Sequence, residues 1–278
     1  MFTVRGEVLM GRFGVSVACA LVALAVVVRV TTGQESERLG VVDALDRGDL
    51  TAKGMTILAI IENATLRSNE EVRLALLREL ERVTLEQAER QERRFRGERV
   101  PGSEGIAEYF LAVTHAVTLL EDPRSIEHLR WAADTGLRVQ ESLTRFGALA
   151  IPALADTWHQ AASKTHLRAD LAPSVVSVLA RVAARPGELN SDTKRQVTEI
   201  ATEALARPPS AFGLREGITL AVAVDDPTLI EDVGRLASSS AAVAARGVAS
   251  PRDIQKIRDH AREQLEKRAR SQAPAVQR

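Results

Sequence analysis

One cysteine and nine aromatic residues are all that this chain of 278 residues holds of those types. The cysteine, Cys19, falls in an uncharged N-terminal run, so the remainder has no thiol, and a disulfide framework, a thiol nucleophile or a Cys-ligated zinc site is excluded there. Phe2 and Phe13 belong to the same stretch, and the seven aromatics left are few for base stacking or sugar binding. Excess charge is missing too. The 37 basic side chains balance 37 acidic ones, which withholds the electrostatic footprint of a nucleic-acid binder. No G-x-S-x-G elbow, H-E-x-x-H pair, Walker loop or Rossmann glycine fingerprint occurs, so the sequence assigns no catalytic residue and no cofactor. What is present is an ordinary globular balance, 45% hydrophobic and 27% charged. Alanine, leucine, arginine and glutamate dominate it, all strong helix formers, and the expected fold class is all-α.

Arg5 and Arg12 precede an uncharged run over 13–28, and Arg29 closes it, the layout of a secretory signal. The most apolar part, 15–28, would span about 21 Å as a helix, short of the roughly 30 Å hydrocarbon core of a bilayer. A cleaved leader ending before Gln34 is therefore favoured over a membrane anchor. Ser16, Val17 and Ala18 ahead of Cys19 leave a lipoprotein reading open. The expected organisation is a signal peptide or anchor over 1–33, a short linker or helix over 34–49, a helical domain over 50–270 and a disordered tail over 271–278. The expected location is the periplasm or cell envelope, tethered to the inner membrane if the apolar run is retained. Without 1–33 the chain keeps 34 basic against 36 acidic groups. Thirty-two arginines against five lysines suit a GC-rich bacterial gene, in which the sequon Asn63, Ala64, Thr65 has no role.

Apolar spacing predicts helix after helix, roughly ten or eleven in all. Ile106, Phe110, Val113, Val117 and Leu120 form one stripe, with Ser103 as its expected N-cap. Ser68 and Glu71 read as a capping box ahead of Val72, Leu76, Leu80 and Val83. Beyond Leu85 that stripe ends, and Glu86–Arg90, Glu89–Arg93 and Glu92–Arg96 predict ion pairs on a helix projecting into water. Asp122–Pro123, Asp226–Pro227 and Ser250–Pro251 are three alike helix starts. The first two match further: Glu121, Asp122, Pro123, Ile126, Glu127 and Leu129 have the spacing of Asp225, Asp226, Pro227, Ile230, Glu231 and Val233. A stripe through Leu167, Leu171, Val175, Val178 and Val182 is expected to bend or restart at Pro173.

Two stretches carry a resemblance to a known family. Gly147, Ala148, Leu149, Ala150, Ile151, Pro152, Ala153 and Leu154 resemble the G-x-x-A-I-P-x-L opening of the first helix of a HEAT-type repeat. Ile257, Arg258, Ala261 and Leu265 resemble the I-R-x-x-A-x-x-x-L run of the second, with Val72, Arg73, Ala75 and Leu80 a looser echo. The chain thus resembles the HEAT-like, armadillo-type helical-repeat superfamily over about 50–270, and the resemblance implies an irregular α-α superhelix. A compact, non-repetitive bundle is the competing architecture. A solenoid of this kind implies an extended concave surface for a protein or peptide partner.

Candidate site residues are few. Asp156, His159, His166 and Asp170 are spaced i,i+3 and i,i+4 in two pairs and are the one set suited to chelating a divalent metal. Isolated histidines are more often hydrogen-bonded surface or core residues. Trp131 and Trp158 flank the clearest repeat signature, as partner anchors or as core. Arg93, Arg94 and Arg96 lie in the densest arginine cluster, interleaved with Glu89, Glu92 and Glu98, and read either as an acidic-partner contact or as a self-neutralised face. The expected function is an exported or membrane-tethered scaffold binding a protein or peptide in the envelope, with no nucleic-acid partner and membrane contact only through an uncleaved N-terminus. The alternative is an enzyme on the same scaffold, a metal-dependent hydrolase or a glycosylase-like protein.

Overall fold

The computed structural model describes residues 34–99, 105–162 and 170–272, and the apolar run, Ser103 and His166 lie outside them. The described residues contain fourteen α-helices and no strand. None of these helices is long and apolar enough to cross a membrane. Three of them, at Ala64–Ser68, Ile126–Leu129 and Ser240–Ala244, have only four or five residues. A stripe cannot declare itself over one turn, so the spacing of apolar residues undercounts the helices. The chain divides into two compact units, Met1–Leu76 and Leu77–Arg278.

The first unit holds α1 (Gln34–Arg47), α2 (Leu50–Glu62), α3 (Ala64–Ser68) and the start of α4 (Glu70–Phe95). Short polar side chains set each boundary. Asp49 accepts from Ala52 N at 2.8 Å, Asn63 from Thr65 N at 2.9 Å, and Asn69 from Glu71 N at 3.0 Å, each relieving an orphan N–H of a first turn. Asn69 therefore caps α4, not Ser68. Ser68 ends α3 instead, its hydroxyl donating back to the Ala64 carbonyl at 2.9 Å. Leu45, Ile57, Ile60, Leu66, Val72, Ala75 and Leu76 are the buried apolar residues among those described here.

In the second unit, α4 carries Leu77, Leu80 and Val83 inward and then loses its apolar face, leaving Leu85 two-thirds exposed. Arg90 pairs with Glu86 at 3.0 Å as the spacing predicts. Arg93 and Arg96 converge on Glu98 beyond the helix end, at 3.0 and 2.7 Å. After α5 (Ile106–Thr118) come a 3-10 turn, α6 (Ile126–Leu129), a second 3-10 turn at Arg130–Ala132 and α7 (Leu137–Arg145). A third 3-10 turn at Gly147–Ala150 leads into α8 (Ile151–Ala162). Then follow α9 (Leu171–Ala183), α10 (Ser191–Ala206), α11 (Ala211–Val224), α12 (Pro227–Ser238), α13 (Ser240–Ala244) and α14 (Pro251–Gln272).

Helix α9 is the centre of this unit. Ten of its thirteen residues are buried, and it packs against α7, α8, α10 and α11, as its all-round apolar sequence requires. Pro173 stands third in α9, within its first turn, where the missing N–H breaks no bond, and Leu167 of the expected stripe lies outside the described residues. Against α11 the fit between helices depends on a missing side chain: a Cβ on Gly217 would come within 3.1 Å of Ala204 Cβ on α10. Helix α14 packs on α11, α12 and α13 and buries only Ile257 and Ala261.

Candidate functional site

Helix α8 sorts its side chains by face. Ile151, Leu154 and Trp158 point into the core, while Asp156, His159 and Gln160 stand on the open side. Trp158 is 1% exposed, so its ring is a core element. Its indole N–H still needs an acceptor, and Glu203 of α10 supplies one at 2.8 Å. The same Glu203 oxygen lies 3.5 Å from Nδ1 of His159, and both side chains are about half exposed. One buried donor thus fixes a carboxylate at the surface beside an imidazole.

Arg130 organises the other edge. Its Nη1 donates to Asp156 Oδ2 at 2.5 Å, to Thr157 Oγ1 at 3.3 Å and to the Ala153 carbonyl at 3.3 Å, while Nε pairs with Glu127 at 3.1 Å. Its guanidinium also sits 4.9 Å from the ring centre of Trp131, within cation–π range. Asp156 accepts from Gln160 at 3.0 Å as well. The Arg130 bond, followed by the Gln160 bond, holds the Asp156 carboxyl below the usual carboxylate range. Trp131 is half-buried beneath this network. The result is a surface of fixed side chains: a half-covered tryptophan, a clamped arginine, two accessible carboxylates and an imidazole.

Among the described residues, the site sets no nucleophile beside a base. The nearby Thr157 hydroxyl is buried and donates to the Ala153 carbonyl at 2.8 Å. Of the four residues predicted to chelate metal, Asp156 and His159 share α8, Asp170 precedes α9 with its carboxylate capping no N–H, and His166 lies outside the described residues. Among the described residues no group of three or more histidine, cysteine or acidic side chains is arranged to hold a metal. Arg93 and Arg96 are occupied with Glu98, whose carboxyl is held low by Arg96 first and Arg93 second, and Arg94 belongs to the same last turn of α4.

Sequence reasoning did not find Arg130 and Glu203. They are separated from α8 by 26 and 45 positions in the contacts they make, and a lone charge in a charged sequence carries no signal. A second polar cluster was equally hidden. Tyr109 donates its hydroxyl to Glu79 at 2.6 Å, and Arg82 grips the same carboxylate at 2.8 and 2.7 Å. Glu79 and Tyr109 are 5% and 6% exposed. Burial first, and then the bond to Glu79, push the tyrosine hydroxyl far above its ordinary range.

No protein-family model, curated protein or solved structure gives a match to this chain.

Proposed function

We propose that this chain is a HEAT-like helical-repeat scaffold, exported or membrane-tethered, which binds another protein or peptide in the cell envelope with the face built on α8 and α10. The observation that carries the reading is Trp131. It is half-buried under a guanidinium that four other groups hold in place, beside the accessible carboxylate of Asp156. Preorganised aromatic and arginine side chains are what binding hot spots use, because little freedom is lost when a partner arrives. The repeat part of the reading is supported by two turns of one geometry. Glu121 and Asp225 are the two non-glycine residues with positive φ among those described, at 50° and 57°, and each stands directly before an Asp–Pro helix start. The uncharged run over 13–28 between arginines supports export or tethering.

Capture from envelope extract tests the binding face. The native chain should recover a defined partner, and Trp131→Ala should lower recovery at least tenfold, the loss expected when a hot-spot tryptophan is truncated. Absence of any partner above background, or capture indifferent to Trp131→Ala, counts against the reading. Fractionation of cells with intact-mass measurement tests the location; a full-length chain in the cytoplasm would refute export and tethering together.

A further inference from the structure

Helix α14 is long and lightly seated. Of its 22 residues only Ile257 and Ala261 are buried, although it packs on three helices, α11, α12 and α13. A segment with few buried apolar contacts opens at a lower free energy than the core that carries it. Polar ties do the rest of the holding. Arg258 donates to Ser240 Oγ at 2.9 Å and to the Ser238 carbonyl at 3.3 Å, and Arg268 and Gln272 both reach Asp225, at 2.5 and 3.2 Å. Between these two sets of ties stands His260, half-buried, with its Nε2 2.9 Å from the Thr219 hydroxyl of α11. That hydroxyl directs its own hydrogen to the Arg215 carbonyl at 3.1 Å, so the ring nitrogen donates to it, and this contact is kept whether or not the ring is charged. What a second proton changes is charge. Among the described residues, Arg215 of α11 and Lys267 of α14 act on the ring as like charges and Glu263 of α14 as an opposite one, while no charge of α12 or α13 acts on it.

We propose that α14 is a strap released by a proton on His260: on mild acidification this one helix opens from α11, α12 and α13 while the rest of the second unit stays folded. Seated, the ring lies against α11 beside two cations. Open, it stands in water. Burial first, and then Arg215, hold the seated imidazole below its ordinary pKa of 6.5, so the open form takes up the proton more readily and opening is favoured as pH falls below about 6.5. At pH 5.5, one unit below that value, the gain is at most about tenfold. Imidazole is the side chain whose ordinary titration falls between about pH 8 and 5. The other ties are made by arginine, glutamine, serine and aspartate, so His260 is the one that switches in this window. Helix α9, at the centre of the unit, contains no histidine and serves as the reference. The strap is independent of the α8 face, and failure to capture a partner there leaves it standing.

Native-state hydrogen exchange of the full chain, read by mass spectrometry on peptides from α14 and α9, separates a strap from general unfolding. After correction for intrinsic rates, protection of α14 should fall between pH 7.5 and 5.5 by up to about tenfold, with that of α9 unchanged. His260→Gln keeps a donor but no titrating ring, and should hold α14 protection level across the range. Arg215→Gln together with Lys267→Gln guards against a His260→Gln chain that fails to fold. Both of these side chains are exposed, and without the two cations the acid loss should shrink. Equal α14 protection at the two pH values would overturn the proposal. So would α14 and α9 losing protection together, a loss that His260→Gln leaves intact, or one that the double substitution does not reduce.

Discussion

Tyr109, Glu79 and Arg82 place a charge pair against the core of the second unit, and the tyrosine hydroxyl completes the shell of the buried carboxylate. A hydrogen bond to a buried charged group is worth about 1.5–3 kcal/mol when lost, so Tyr109→Phe should destabilise the protein by about that amount in urea titration, with helix content unchanged. Gly147 is constrained in a different way. Its φ of 58° suits glycine, and a Cβ would run into the Glu188 carboxylate, which itself accepts from Ala148 N at 3.3 Å. Gly147→Ala should cost about 1–3 kcal/mol. Adding Glu188→Ala should recover only the collision, leaving the backbone strain, and a double-mutant cycle of thermal melts separates the two. Gly147 could be picked out in the sequence as the opening of a repeat-like motif; Glu188, 41 positions on, could not.

The proline-led helix starts were legible, because a cap acts over three residues. Asp226 accepts from Thr228 N at 2.9 Å and Asp122 from Arg124 N at 2.9 Å, with proline following each. Replacing Asp226 by alanine should cost about 1 kcal/mol in a chemical melt. Asp122→Ala should cost more, since this carboxylate is nearly buried and also holds Arg124 at 2.6 Å. The left-handed residue ahead of each start was not legible. Arg145 reaches Glu121 at 2.9 Å and Arg268 reaches Asp225 at 2.5 Å, and these long-range contacts have no local signature. Where two short polar residues compete, as Ser68 and Asn69 do before α4, the S-x-x-E pattern chose wrongly by one position. The stripe through Val72 and Leu76 is the same for either start, and α3 had already claimed Ser68.

Two histidines join helices of the second unit, and one of them, His115, must be neutral to do so. Arg138 of α7 donates to the His115 ring of α5 at 2.8 Å, and an imidazole accepts only through an unprotonated nitrogen. His260 of α14 contacts the Thr219 hydroxyl of α11 at 2.9 Å, near Arg215, Glu263 and Lys267. Burial first, and then the neighbouring arginine, hold each imidazole below its ordinary pKa of 6.5. The unfolded chain therefore binds protons more readily as pH falls below about 6.5, and stability present at neutral pH is lost on acidification. The melting temperature should drop from that pH downward, and His115→Gln with His260→Gln should flatten the slope. Asp156 beside Arg130 and Glu263 beside Lys267 act with the same sign at lower pH, below about 4.5, where their carboxyls gain protons. A melt unchanged between pH 7.5 and 5 would contradict the first effect and leave the second open to separate measurement.

The all-helical class, most helix positions, the three proline-led starts and the lack of thiols beyond Cys19 could be read before any fold was known, because each depends on composition or on neighbours within about one turn. The tertiary structure alone decided that Trp158 is core and Trp131 is half-covered, that Arg130 and Glu203 shape the surface of α8, and that α2 turns its lysine inward and its leucine outward. Those outcomes depend on which helices pack together, and partners dozens of residues apart leave no periodic mark in the chain.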